Sequence, residues 1–412
     1  MIVKKILSFC LIAIYLYTLT FDIFLTDFLR IPAPLILGVV LLLFIEQPVR
    51  PFAYYYEMVI FTIALFLYDL VGIGDYKNFV VAIVTILTCA FYFSSFVGLN
   101  KRRFILSVGV FLSLLFFSML LMVLDHSYQS VIDPIRTIIL GSQVIQSPAG
   151  IALTQFTFGY QVAAFTAFIF VLTYKSKGQI ILKLVAFFVC AVCIYLGMNR
   201  SAFISFIVAA VVFLLFYYRF KALILVAFTL LIGLLAYTYI IKDTLDDKNN
   251  ILAKNQAKEA NDFNRIDLSL ENLKIYADYP FGLIFYGKNW NDVSYKNYYF
   301  QFGITSHNAY LMFITYLGPF LAFGLLGAIY YRILLLFHQT IKNIRKKNYA
   351  LLLCFLFALT AVSINAFSHN GWLLTADGPT VFLYFGTLQC AKIFVPNRRD
   401  ADSSTELVLL PQ

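Results

Sequence analysis

The sequence predicts an all-α, polytopic integral membrane protein of about twelve transmembrane helices with one long outer loop. Three observations predict it. Apolar residues make up 61% of the chain and charged ones 13%, about half the charged share of a soluble domain. Apolar runs long enough to span a bilayer recur along nearly the whole length. The basic residues fall on alternate loops, as they do where one side of a membrane collects Lys and Arg.

Taken in order, the runs lie at about 6–26, 32–46, 52–73, 78–98, 104–124, 155–174, 179–198, 201–218, 221–241, 307–336, 349–367 and 378–394. Lys4 and Lys5 precede the first run, and no small-x-small cleavage site follows it, so it reads as a membrane helix rather than a cleaved signal. With the N-terminus placed inside, the inner loops receive 18 basic residues, Lys101–Arg103 and Arg345–Lys347 among them. The short outer loops receive only Arg30, Lys77, Arg136 and Arg200. That asymmetry predicts both termini in the cytoplasm and accounts for the net charge of +10 without nucleic acid. The resulting organisation is 1–241 for helices one to nine, with an outer loop at about 125–154; 242–306 for a large outer loop; 307–394 for the last three helices; and 395–412 for a polar cytoplasmic tail.

Six cysteines lie within or beside apolar runs. Cys190 and Cys193 form a C-x-x-C, but mid-span they read as small packing residues rather than a redox pair. A Walker A sequence is absent, as is the pair of matched broken helices that marks many secondary transporters.

The chemistry-bearing residues sit on the outer side. In the large loop, 257–278 reads as an amphipathic helix with Ile266, Leu270, Leu273 and Ala277 on one face and Arg265 at its head. Tyr279-Pro280-Phe281-Gly282 stops it. The loop closes on Ser306-His307-Asn308-Ala309-Tyr310-Leu311, which runs into a long apolar helix. Ser306 is the expected N-cap, and a helix start keeps an imidazole neutral and able to take a proton. An interfacial histidine bonded to a loop carbonyl would look the same in sequence. Arg200, in Asn199-Arg200-Ser201, stands at an outer helix end against the charge trend; it suits bidentate phosphate binding, or snorkelling to headgroups. Arg136 lies in the other outer loop, near Gln143, Gln146 and Gln155. Ser368-His369-Asn370 repeats the Ser-His-Asn triplet in the last outer loop. Asp22, Glu57 and Asp69 are carboxylates inside or near spans, and such groups are functional candidates by position.

Together these pieces resemble the O-antigen ligase and polymerase family of bacterial envelope glycan assembly. The resemblance covers the chain from about Arg200 onward. It rests on the order of the Asn-Arg-Ser-Ala turn, Arg265 leading a helix into Tyr279-Pro280-Phe281-Gly282, and the Ser306–Leu311 segment opening a helix with Gly318 and Gly324. It implies a donor glycan on undecaprenyl pyrophosphate at the outer face of the inner membrane, with no nucleotide, cofactor or metal. It implies Arg200 and Arg265 at the pyrophosphate and His307 as base on the acceptor hydroxyl, with Arg136, His369, Asn308 and Tyr310 as substrate-binding neighbours. A chain-length regulator and a flippase are implied partners. Polymerase and ligase share these motifs; the Phe-, Tyr-, Lys- and Asn-rich composition leans the reading to the polymerase. A flippase or transporter would also have twelve spans, but would be expected to carry polar groups along a central path rather than in one large loop.

Overall fold

A computed structural model describes residues 2–23, 38–39, 52–175, 180–224, 226–227, 265–295, 297, 299–300 and 305–395. Among these residues the chain is helical, with no strand. The helices are α1 (Ile2–Phe21), α2 (Tyr55–Leu65, extended by a π-helical turn to Ile73), α3 (Tyr76–Phe91, extended likewise to Val97), α4 (Lys101–Leu140), α5 (Gln155–Lys175), α6 (Ile180–Leu196), α7 (Arg200–Tyr218), α8 (Arg265–Asp278), α9 (Trp290–Ser294), α10 (Ala309–Lys342), α11 (Ala350–Asn365) and α12 (Gly378–Phe394). Seven of the described helices are long and apolar enough to cross a membrane, and α1 and α6 are shorter apolar helices. The expected spans at 32–46 and 221–241 lie almost wholly outside the described residues, as does the tail.

Short polar side chains start these helices. Asn100 accepts from Arg102 and Arg103 N–H, Asn199 from Ala202, Asn308 from Leu311 and Asp377 from Thr380. Each satisfies backbone donors that the first turn of a helix leaves without an intrahelical partner. α12 is apolar all round and buried without interruption from Gly378 to Ala391, so it runs through the centre of the bundle. Around it phenylalanines interlock: Phe382 stacks on Phe111 at 4.0 Å and meets Phe355, which also meets Phe104 and Phe168. α11 packs on α5, α7 and α12.

Two helices are interrupted. α4 departs from helical geometry at Tyr128 and contains Pro134, whose ring removes one backbone hydrogen bond. The segment read as an outer loop at 125–154 therefore begins as helix, and only 141–154 is irregular. α10 breaks at Gly318-Pro319. The Tyr279–Gly282 stop segment seats there: a Cβ on Gly282 would overlap the Gly318 backbone, and one on Gly318 would overlap the Phe281 carbonyl.

The described part of the large loop packs on the bundle. Leu268, Ile275, Leu283, Trp290 and Phe300 join the main core, and Trp290 meets Tyr316 of α10 at 6.4 Å. α8 turns inward a face that includes a polar residue. Leu268, Asn272 and Ile275 are buried, whereas Leu270 and Leu273 are 51% and 46% exposed. Asn272 can be buried because its Oδ1 accepts from Thr315 Oγ1 at 2.7 Å and its Nδ2 lies 3.2 Å from Met312 Sδ. The side chain of Ile266 lies outside the described residues, as does the expected start at 257.

Connectivity separates the two ends of the bundle. Gln155, Arg200, Ala309 and Asn365 mark one end of α5, α7, α10 and α11. Lys175, Tyr218, Lys342 and Ala350 mark the other, where Lys175 Nζ donates to the Ile344 carbonyl at 2.7 Å. Lys101 of α4 shares that basic end with Phe394 of α12.

Candidate active site

The first of these ends is built around Asn199. Its Nδ2 donates to the Gln155 carbonyl at 2.8 Å, and its Oδ1 accepts from Ala202 N–H at 3.1 Å and from Ser201 Oγ at 2.6 Å. These bonds fix the turn from which α7 starts, with Arg200, half-buried, as its first residue. Ser201 Oγ also lies 2.6 Å from His369 Nε2. The hydroxyl has one proton and the amide oxygen can only accept, so that proton goes to Asn199 and His369 Nε2 must be the donor. Neutral His369 is therefore the tautomer protonated at Nε2.

The two Ser-His-Asn triplets meet. Ala309 N–H donates to the His369 carbonyl at 2.9 Å, and the Asn370 amide donates to the Thr305 hydroxyl. The Phe156 ring lies 5.2 Å from the His369 ring and 6.1 Å from the His307 ring, near-parallel to the latter. His307 is half-buried with φ at 50°, a conformation uncommon outside glycine, which turns the chain immediately before the helix. Ser306, the expected cap, is instead buried with no partner for its hydroxyl among the described residues; Asn308 is the cap, two residues later.

Arg200, His307 and His369 are thus carried to one end by turns that touch each other. Arg265 heads α8 among the described residues, but its side chain lies outside them. Asn308 spends its side-chain oxygen on the Leu311 N–H. Tyr310 turns inward, donates to the Ser363 carbonyl at 3.1 Å and packs on Trp372 and Phe367.

Arg136 departs furthest from expectation. It is fully buried. Its guanidinium meets Asp125 at 2.9 Å and Asp133 at 2.8 Å, together with Ser147 Oγ and the carbonyls of Gly150, Ala152 and Gln146. All five N–H donors are consumed by protein, so this arginine anchors the 146–152 loop to α4 and has no donor left for a substrate. Gln155 continues the network, donating to the Ser147 and Pro148 carbonyls.

Of the carboxylates singled out by position, Glu57 is buried and paired with Arg332 at 2.6 Å, toward the basic end. Asp69 is buried, and Asp22 is exposed just beyond α1. Sequence reasoning missed Phe156 and the role of Ser201. An Asn two residues before a Ser at a helix start was the available sign of a capped turn, but the histidine that the serine holds is 168 residues away.

Residues 185–332, from within α6 to within α10, match the family model described as O-antigen ligase. That segment is similar to an O-antigen ligase domain. It holds Arg200, Arg265, His307 and the Gly282–Gly318 contact within its bounds, and leaves out His369 and Arg136. It supports a ligase- or polymerase-type glycosyl transfer in envelope glycan assembly, by a multi-pass membrane protein whose substrate is a lipid-linked glycan. No curated protein matches the chain.

Proposed function

We propose that the chain polymerises undecaprenyl-pyrophosphate-linked oligosaccharide repeat units at the periplasmic face of the bacterial inner membrane. The observation that carries this reading is the meeting of the Arg200 turn with both Ser-His-Asn turns about Phe156, inside or beside the segment similar to an O-antigen ligase domain. Arg200 and Arg265 hold the donor pyrophosphate. His307 takes the proton from an acceptor hydroxyl, whose oxygen attacks the anomeric carbon. The bond from that carbon to the pyrophosphate oxygen breaks, and the electron pair leaves with the pyrophosphate. Charge grows on the leaving group as the bond breaks, and paired guanidiniums stabilise it most when it is greatest. A pyrophosphate leaves readily, so the carboxylic acid pair of glycosidases is not required. His369, held by Ser201, orients the acceptor turn. Arg136 is given no part in substrate binding, since its donors are spent. A flippase supplying the donor and a chain-length regulator are the partners this reaction calls for.

The matched model's own description favours a second reading, transfer of the finished glycan to lipid A core. Deleting the gene and separating surface polysaccharide by electrophoresis distinguishes them. A polymerase leaves single repeats attached; a ligase leaves no attached glycan and retains lipid-linked polymer. Unchanged surface glycan would contradict both.

A further inference from the structure

The basic end of the bundle contains a cavity of ≈ 470 Å³ between the last turns of α7 and α10, lined by Leu215, Phe216, Arg219, Lys342, Arg345 and Lys346 among others. Four of these are cations, and among the described residues none has a carboxylate partner. The cavity is preformed. Its loop is pinned by Lys175 Nζ on the Ile344 carbonyl and by the buried Ile344 side chain. Arg219 is held at φ 55°, ψ −134° by its own N–H bonding to the Leu215 carbonyl at 2.8 Å. Glycine is the residue that fits such a backbone, and an arginine there is strained. The strained residue therefore keeps a guanidinium at the cavity wall where a less costly residue would end the helix. Leu215 and Phe216 are exposed beside it, and Phe220, Leu223 and Ile224 continue an apolar surface outward.

We propose that this cavity binds the phosphate headgroup of an anionic phospholipid, whose acyl chains lie along Leu215 and Phe216. Charge decides the class of ligand. Two helix ends contribute about half a negative charge each, against four full positive charges. An anion is favoured, and the exposed apolar side chains of Leu215, Phe216 and Phe220 beside the cations favour a lipid over a free ion. The bound lipid braces α7 to α10, the two helices whose opposite ends carry Arg200 and His307. The inference stands on the cavity and not on the proposed reaction.

The test uses the full chain in detergent, with spin-labelled phosphatidylglycerol and phosphatidylcholine of the same acyl chains. Phosphatidylglycerol binds preferentially and raises the melting midpoint; Arg219→Gln with Lys342→Gln weakens it about 30-fold, at roughly one factor of five per cation. Arg219→Gly separates binding from folding: its lipid-free midpoint is unchanged or higher, because glycine suits the backbone, yet its affinity falls. Lys101→Gln, at the same end but away from the cavity, binds as the parent does. Equal binding of the two lipids overturns the proposal, as does equal weakening by Lys101→Gln. So does inorganic phosphate at millimolar concentration that raises the midpoint as far as the lipid, because the site would then take a free ion.

Discussion

At the scale of the residue, the sharpest lesson comes from Arg136. A basic residue on the sparsely charged side of a membrane protein looks like a ligand for an anion, and Arg136 and Arg200 are alike in that respect. Nothing in the local sequence says that Asp125, one helical kink away, and the carbonyls of 146–152 will close around one of them. Removing Arg136 leaves Asp125 as an unpaired charge in a buried site, so Arg136→Ala should destabilise by about 3–5 kcal/mol. Arg136→Lys should also fail, because an ammonium has three donors for six acceptors. Thermal unfolding in detergent with a fluorescent reporter checks both; a melting midpoint unchanged in Arg136→Lys would remove the anchor argument. A second residue-scale prediction concerns Asp377, the cap of α12. Burial pushes its carboxyl up to about 7, against the pull of the Thr380 hydroxyl and N–H. Below about pH 4 the group is neutral folded or unfolded and costs nothing. As pH rises from there to about 7, the unfolded chain ionises first, so stability falls across that window and the loss is complete above it. Asp377→Asn keeps a capping oxygen and should lessen that slope, measurable as midpoint against pH, the remainder coming from the neighbouring Asp22, whose carboxyl desolvation by the surrounding protein also raises.

At the scale of the element, helix ends were legible and helix faces were not. The Tyr279–Gly282 stop is read from local chemistry and ends α8 where expected, whereas the caps are Asn199, which the sequence offered only as part of a turn, and Asn308, two residues beyond the expected Ser306. The inward face of α8 escaped because an apolar stripe assumes that polar residues face out. Asn272 faces in, and its partners Thr315 and Met312 are some 40 residues away in sequence. Likewise the meaning of Gly318 is not local. It is required because another backbone, at Phe281, lies against it while its own φ is 74°. Gly318→Ala should therefore cost about 2–4 kcal/mol, combining left-handed strain with the overlap. It should also lift the 279–286 segment from α10, seen as faster proteolysis there. Gly324→Ala, where a Cβ meets nothing, is the control and should leave the cleavage rate unchanged.

At the scale of the whole molecule, hydropathy and the length of the apolar runs gave the all-helical, multi-pass class, because a bilayer imposes both on the sequence directly. They could not give the convergence of the site. His307 and His369 belong to separate loops, related by the packing of Phe156 between them, the Ala309 N–H on the His369 carbonyl and the Asn370 amide on Thr305. The division into a basic end and an end with the histidines leads to a prediction of orientation. In a Cys10→Ser background, which removes the one exposed cysteine among the described residues, a membrane-impermeant maleimide should label Asn291→Cys in intact cells and Lys346→Cys only after lysis. The reverse pattern would put the site on the wrong face for the proposed donor.

The central claim is that one end of this bundle transfers a lipid-linked glycan through Arg200, Arg265 and His307. Its most direct test is the purified chain reconstituted with an undecaprenyl-pyrophosphate-linked oligosaccharide, with products separated by size. The parent protein should make longer glycan and release lipid pyrophosphate. His307→Ala should slow this by about 10²–10⁴, and Arg200→Lys should impair it although charge is kept, with the melting midpoints of both unchanged. Parental rates in the folded His307→Ala protein would contradict the account.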